Sequence, residues 1–215
     1  MIPLKYAHLL EKMLRFRAFK WKDGKVLIFG MTGAFHLLYV DIFAQKIMER
    51  DAGKRKTMEF YYNLGRFQAI QGVKIVNKIF GYIKTIKDKK RLIELNIGQF
   101  AVVGVGSFKI KTLDFNKDLF IFSGKSAIAE EYKKFFGLQK ESIDHYIRGG
   151  LAGLIESIID KPVTCIEASC ISQGKLFCNF IVKTNEKWDL KDKIFKEQFV
   201  ESKDLIRELM PKLSP

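Results

Sequence analysis

The sequence predicts an α+β fold, a small antiparallel sheet packed with several helices. Strand and helix patterns fall in blocks (hairpin, helices, small sheet, helices, hairpin, helix) rather than in βα alternation. Hydrophobic residues make up 47% of the 215, enough to bury a core in one large domain without staples. Two helical stretches also carry glycines on one face, which is how closely packed helices are written.

Taken in order, "RFRAFKWKDGKVLIFG" (15–30) reads as a β-hairpin about an Asp23-Gly24 turn. Helical periodicity runs from 33 to about 50, and "DAGKRK" (51–56) reads as a polar loop. A longer helix follows over 57–82, with Phe60, Leu64 and Phe67 at helical spacing. Gly65, Ala69 and Gly72 share one of its faces. An interior glycine costs about 1 kcal/mol against alanine. Two on one face therefore imply a close approach by another helix, a dimer partner or a ligand.

"KDKKRLIELNIG" (87–98) predicts a short helix ending at Gly98, and the β-branched and aromatic stretch 99–124 predicts two or three antiparallel strands turning at "FNKD". Gly104 and Gly106 in "VVGVGSF" lack the helix start and Lys-Ser/Thr of a phosphate loop, so a strand bulge or ligand approach is the better reading. Ser126 and Gly137 cap a helix between them. Residues 141–160 form another, with Gly149 and Gly153 on one face. "KPVTCIEAS" and "LFCNFIVKT" are strands joined at "SQGK", and a last helix spans 188–210. Residues 1–32 form an N-terminal helix and hairpin, an extension for packing or dimerisation, and 33–215 the main domain.

Lys and Arg number 38 against 24 Asp and Glu, a net charge of +14. Such a surface attracts nucleic acid without specificity, or is simply a solvated basic exterior. The densest runs, "GKRK" and "KDKKR", do not sit among aromatics in a nucleic-acid motif. No stretch approaches the ~20 apolar residues of a membrane span, and no secretory signal opens the chain. A cytoplasmic protein is expected. Three histidines, His8, His36 and His145, lie far apart, and no nucleophile elbow, Walker motif or dinucleotide fingerprint is present. The residues therefore point to no reaction.

All three cysteines, Cys165, Cys170 and Cys178, fall in "CIEASCISQGKLFCNF". Cys165 and Glu167 are two apart on a strand and share a face. Glu167, Cys170 and Cys178 can converge across the hairpin, and thiolates with a carboxylate suit zinc. Inert buried thiols and a redox pair stand beside the metal as alternatives.

"RGGLAGLIESIIDKPVTCIEASCISQGKLFCNF" and, upstream, "YYNLGRFQAIQG" resemble the signatures of the 4-vinyl reductase domain, a small-molecule-binding family of bacteria and archaea. The resemblance covers roughly residues 55–183, points to an archaeal member and marks 33–215 as the ligand-binding domain. It implies kinship with sensory domains of phenol- and xylene-responsive activators. More distantly, it implies the ligand-binding fold shared by nitric-oxide-sensing domains and small subunits of the TRAPP complex. In the phenol sensors zinc is held by Cys, Glu, Cys and Cys beside an aromatic-ligand pocket. Glu167, Cys170 and Cys178 match three of those ligands. The remaining one belongs on the glycine helix, where this chain reads "IDHYIRGG" without a cysteine. Cys165 is then the first choice for the fourth ligand, with His145 or Asp144 as alternatives.

The expectation is a cytoplasmic sensor for a hydrophobic or aromatic molecule, homodimeric, with a structural zinc. Phe100, Phe108, Phe120 and Phe122 would line its pocket or fill its core. The alternative is a redox-responsive regulator or adaptor using Cys165, Cys170 and Cys178 as a thiol switch.

Overall fold

The computed structural model describes residues 19–22, 25–28, 31–33, 37–80 and 85–203. Strands β1 (Phe19–Lys22), β2 (Lys25–Ile28) and β3 (Met31–Gly33) form an antiparallel ladder of their own. Lys22 pairs with Lys25, the register of a two-residue hairpin. The Asp23-Gly24 turn itself lies outside the described residues, as does the helix expected before the hairpin. Gly33, read as a helix start, instead ends a strand, its backbone paired with Val26.

Helix α1 spans Leu38–Ala52 and α2 spans Lys54–Phe80. The loop expected at "DAGKRK" shrinks to Gly53, whose φ of 87° suits a residue without Cβ. Lys54, Arg55 and Lys56 are good helix formers and join α2 instead. Helix α3 (Ile86–Val102) opens with a capping box, in which Thr85 Oγ1 accepts from the Asp88 amide and Asp88 Oδ2 accepts from Thr85 N. It does not stop at Gly98. That residue is buried on the face with Leu92, Ile93 and Ile97, and the helix runs on to Val102 where strand was expected. Packing outweighs the propensity of Val102 and its neighbours there.

The main sheet contains β4 (Gly106–Asp114), β5 (Leu119–Ser126), β6 (Val163–Ser169) and β7 (Cys178–Thr184) in the order β4-β5-β7-β6, all antiparallel. Asp114 Oδ1 closes the β4–β5 turn by accepting from Asn116 N and Lys117 N. Helix α4 (Ala127–Phe136) has Ser126 and Gly137 as its caps, as the sequence predicts. Helix α5 (His145–Ile159) is buried along nearly its whole length because it lies between α2 and the sheet. Only Lys193–Gln198 (α6) of the helix expected over 188–210 forms in the described residues. Asp192 caps its start, and Phe199 returns to extended backbone so that Val200 can be buried.

The α2–α5 contact is built from backbone. A Cβ on Gly149 would strike the Tyr62 carbonyl, one on Gly153 the Arg66 carbonyl, and one on Gly65 the Tyr146 carbonyl. A Cβ on Gly72, the third member of the predicted face, would meet nothing within 4 Å among the described residues. The close approach is therefore to a helix of the same chain, and it spans only the N-terminal half of that face. Arg66 closes the contact with a bidentate ion pair to Glu156.

Ser126 links fold and site. Its hydroxyl oxygen accepts from Ala129 N at 3.1 Å, and the hydroxyl donates to Asp144 Oδ1 at 2.7 Å. Ser126→Ala removes a cap and a buried partner together. The expected loss is about 2 kcal/mol, read as a lower urea midpoint at unchanged slope. Among the described residues no helix is long and apolar enough to cross a membrane.

Candidate metal centre

The inner face of the sheet is set by its register. Cys165 stands opposite Val182 and Glu167 opposite Phe180, and Cys178 is the next inward residue of β7. In a regular strand Glu167 and Cys170, three apart, would point to opposite faces. A bulge between Glu167 and Ser169 inserts one residue and resets that parity. Cys170 then turns inward at the strand's end, beside Cys178.

Four donors meet there: Asp144, Glu167, Cys170 and Cys178, all buried, with one ligand atom each lying within 4.8 Å of the others. The Cys170 and Cys178 sulfurs are 3.9 Å apart. Two sulfurs held 2.3 Å from one zinc at a tetrahedral angle would be separated by about 3.8 Å. Among the described residues Asp144 Oδ2 and Glu167 Oε1 have no hydrogen-bond partner although both are buried, an expensive arrangement unless something else engages them. Asp144 is the N-cap of α5, yet its side chain does not cap the helix. It turns to Ser126 and the cluster. The donor set fits a divalent metal.

The site's electrostatics are those of anions crowded out of water. Burial, with Cys170 nearby, pushes the Asp144 carboxyl up to about 7. Burial and then Asp144 raise Glu167 well above the usual carboxylate range. The hydrogen bond from the Cys178 thiol draws Cys170 down to about 5, and donating it raises Cys178. Cys170 also lies 3.0 Å from Ser172 Oγ, and Ile171 N donates to Cys178 Sγ at 3.4 Å.

Cys165 is not part of this set. Sharing a strand face is not sharing a place: successive inward residues stand about 6.6 Å apart, and Cys165 is two rows along the sheet from Cys178. Its surroundings are Tyr62, whose hydroxyl accepts from Cys165 N, and Arg148, which donates to Cys165 O. Burial raises its thiol far above the ordinary range. His145 is not brought in either. Its Nδ1 lies 3.4 Å from Arg148 Nη1, and burial holds its pKa down to about 3. The alternative Asp144 is the fourth member of the cluster.

The four phenylalanines lie together. Phe108, Phe120 and Phe122 are fully buried on the inner sheet face, and Phe100 of α3 meets Phe108 edge-on at 5.6 Å. Phe108 in turn meets Phe180, opposite Glu167, at 5.6 Å. A line of rings thus runs from α3 to β7, the strand that carries Cys178.

No family model matches this sequence, and no curated protein does. Solved structures do match. The phenol-responsive sensory domain of the transcription activator PoxR, crystallised with phenol, overlays with a TM-score of 0.76 over 93% of this chain and all of that one, at 12% identity. The chain shares that domain's fold. A vinyl-4-reductase family protein from Methanocaldococcus jannaschii matches at TM-score 0.44 and 19% identity, over 86% of this chain and 97% of its own. Subunit 3 of a trafficking protein particle complex from Naegleria fowleri, bound covalently to palmitic acid, matches at 0.41 and 11%, over 88% and 95%.

Proposed function

We propose that the chain is a cytoplasmic small-molecule sensor domain that takes up a hydrophobic or aromatic ligand. In this reading a structural zinc at Asp144, Glu167, Cys170 and Cys178 braces it. The observation that carries the reading is the overlay along 93% of the chain with a phenol-responsive domain. Phe100, Phe108, Phe120 and Phe122 form the wall against which an aromatic ligand would rest, and the contact through Phe180 couples that wall to Glu167. Two thiolates and two carboxylates make a closed tetrahedral set, so a zinc there would supply an anchor rather than a reaction centre. It would tie the start of α5 to the last hairpin. Residues 1–32 are assigned to packing or dimerisation, and the working unit to a homodimer.

Elemental analysis of tag-free protein is expected to find about one zinc per chain, and calorimetry to detect phenol or a larger alkyl phenol. Light scattering is expected to read twice 24.9 kDa. Protein free of metal and indifferent to aromatic ligands would sink the reading. Nucleic acid is suggested by net charge alone, and such binding would fall steeply with salt.

The 3.9 Å between the Cys170 and Cys178 sulfurs favours a second reading, a thiol switch. Cys165 stands apart, so the switch would be a pair and not a trio. Peroxide-treated, metal-free protein would then lose two of its three free thiols. Three thiols still titrating would remove this reading.

A further inference from the structure

Arg148 heads the fully buried side chains by volume, and among the described residues it makes no ion pair within 4 Å. Its donors go to uncharged acceptors: Nε to Cys165 O at 3.2 Å, Nη2 to Gln198 O, and Nη1 to His145 Nδ1 at 3.4 Å. Its guanidinium carbon sits 5.3 Å from the Tyr62 ring centroid. Burial lowers its pKa, yet a guanidinium in a protein stays protonated. A buried cation with no anion against it is costly and calls for compensation.

The compensation lies one step further in. Two carboxylates and two thiolates bring four negative charges to a divalent ion, so the loaded centre would carry two in excess. Arg148 belongs to the first turn of α5, its amide donating to Asp144 O at 2.9 Å, and its charge interacts with Glu167. The N-terminal end of the α5 dipole adds positive potential on the same side. Gln198 links the guanidinium to the Glu167 backbone. Its side chain accepts from Glu167 N at 2.8 Å and donates to Glu167 O at 2.9 Å, while its carbonyl accepts from Arg148.

We propose that Arg148 is the counter-ion of the metal centre, a positioning residue whose charge sets how tightly this doubly carboxylate donor set holds a divalent ion. The proposal rests on reading the cluster as a metal site. It explains why α5, whose buried residues after His145 are otherwise without polar side chains, carries an arginine at this position.

The test is zinc affinity, measured against a competing chromophoric chelator, for the wild type, Arg148→Gln and Arg148→Lys. The glutamine keeps hydrogen-bond donors and drops the charge. The lysine keeps the charge. Arg148→Gln is expected to bind about tenfold or more weakly, the range seen when a partner outside the ligand set is lost, and Arg148→Lys to recover most of the affinity. Cobalt(II) substitution supplies a readout that a purely structural role would move. Its absorption bands are expected to be unchanged in both variants, because the ligand set stays intact. If Arg148→Gln does not fold, Arg148→Met replaces it. Neutral variants that bind as tightly as the wild type would overturn the counter-ion, as would a lysine variant as weak as the neutral one or altered cobalt bands. A wild type that binds no zinc would overturn the metal reading and this inference with it.

Discussion

Gly149→Ala is expected to destabilise the protein by about 3 kcal/mol or more, at the upper end of what overpacking costs. The new Cβ would land on the Tyr62 carbonyl, which is backbone and cannot rotate away. The α2 and α5 axes would have to part, disturbing Tyr62 and Arg148 together, both fully buried. Gly72→Ala is the control on the same helix pair. Its Cβ meets nothing within 4 Å among the described residues, so helix propensity alone should leave it neutral or slightly stabilised. Chemical denaturation of the two variants beside the wild type checks this. Equal midpoints would show that the two helices do not pack as closely as the structure has them.

The second large effect is a pH dependence that metal creates. In the metal-free protein Asp144 keeps its proton to about pH 7, Glu167 is raised as well, and both carboxyls ionise near pH 4 once unfolded. Cys170, drawn down to about 5, acts in the opposite direction but for one proton only. The folded cluster therefore holds more protons than the unfolded chain across pH 4–7. The cluster's own contribution to stability falls as pH rises, by about 1.4 kcal/mol per pH unit for each extra proton held. His145, held down to about 3, lacks the proton that an unfolded histidine keeps below about pH 6.5, and it offsets that fall. The metal-free protein should therefore change little between about pH 5 and 6.5. A bound ion takes the place of the cluster's protons. Its affinity rises with pH, and the loaded protein should gain stability over the same range. Urea unfolding at pH 5, 6 and 7, with chelator and with zinc, reads both slopes. Parallel curves would count against a metal at these residues.

What the sequence shows of the site is what lies close together in the chain. Glu167, Cys170 and Cys178 could be brought together by reading one hairpin, because strand alternation and a short turn are local rules. Even there the bulge at Ala168, which makes the parity work, left no mark that alternation alone reveals. Asp144 is harder to see. An Asp before an apolar helix reads as a cap, and only the packing of α5 on the sheet shows its side chain turned away from that task. Cys165 misleads for the converse reason, since a shared face says nothing of distance along the strand. Elsewhere, side-chain caps such as Ser126 were legible. Boundaries set by burial were not: α3 runs past Gly98 because that face is covered, and α6 ends at Gln198 because Phe199 and Val200 have a core to join.

The four donors come from chain positions 144 to 178, with the whole of α5 between the first and the second. The hairpin can offer three ligands early, but the fourth arrives only when α5 has docked on its strand. Closing that loop costs entropy that local contacts cannot repay. Ion capture at this centre would thus follow the folding barrier rather than help the chain across it. A metal held there would leave the refolding rate almost untouched and slow unfolding instead, so that its contribution is to the lifetime of the native state.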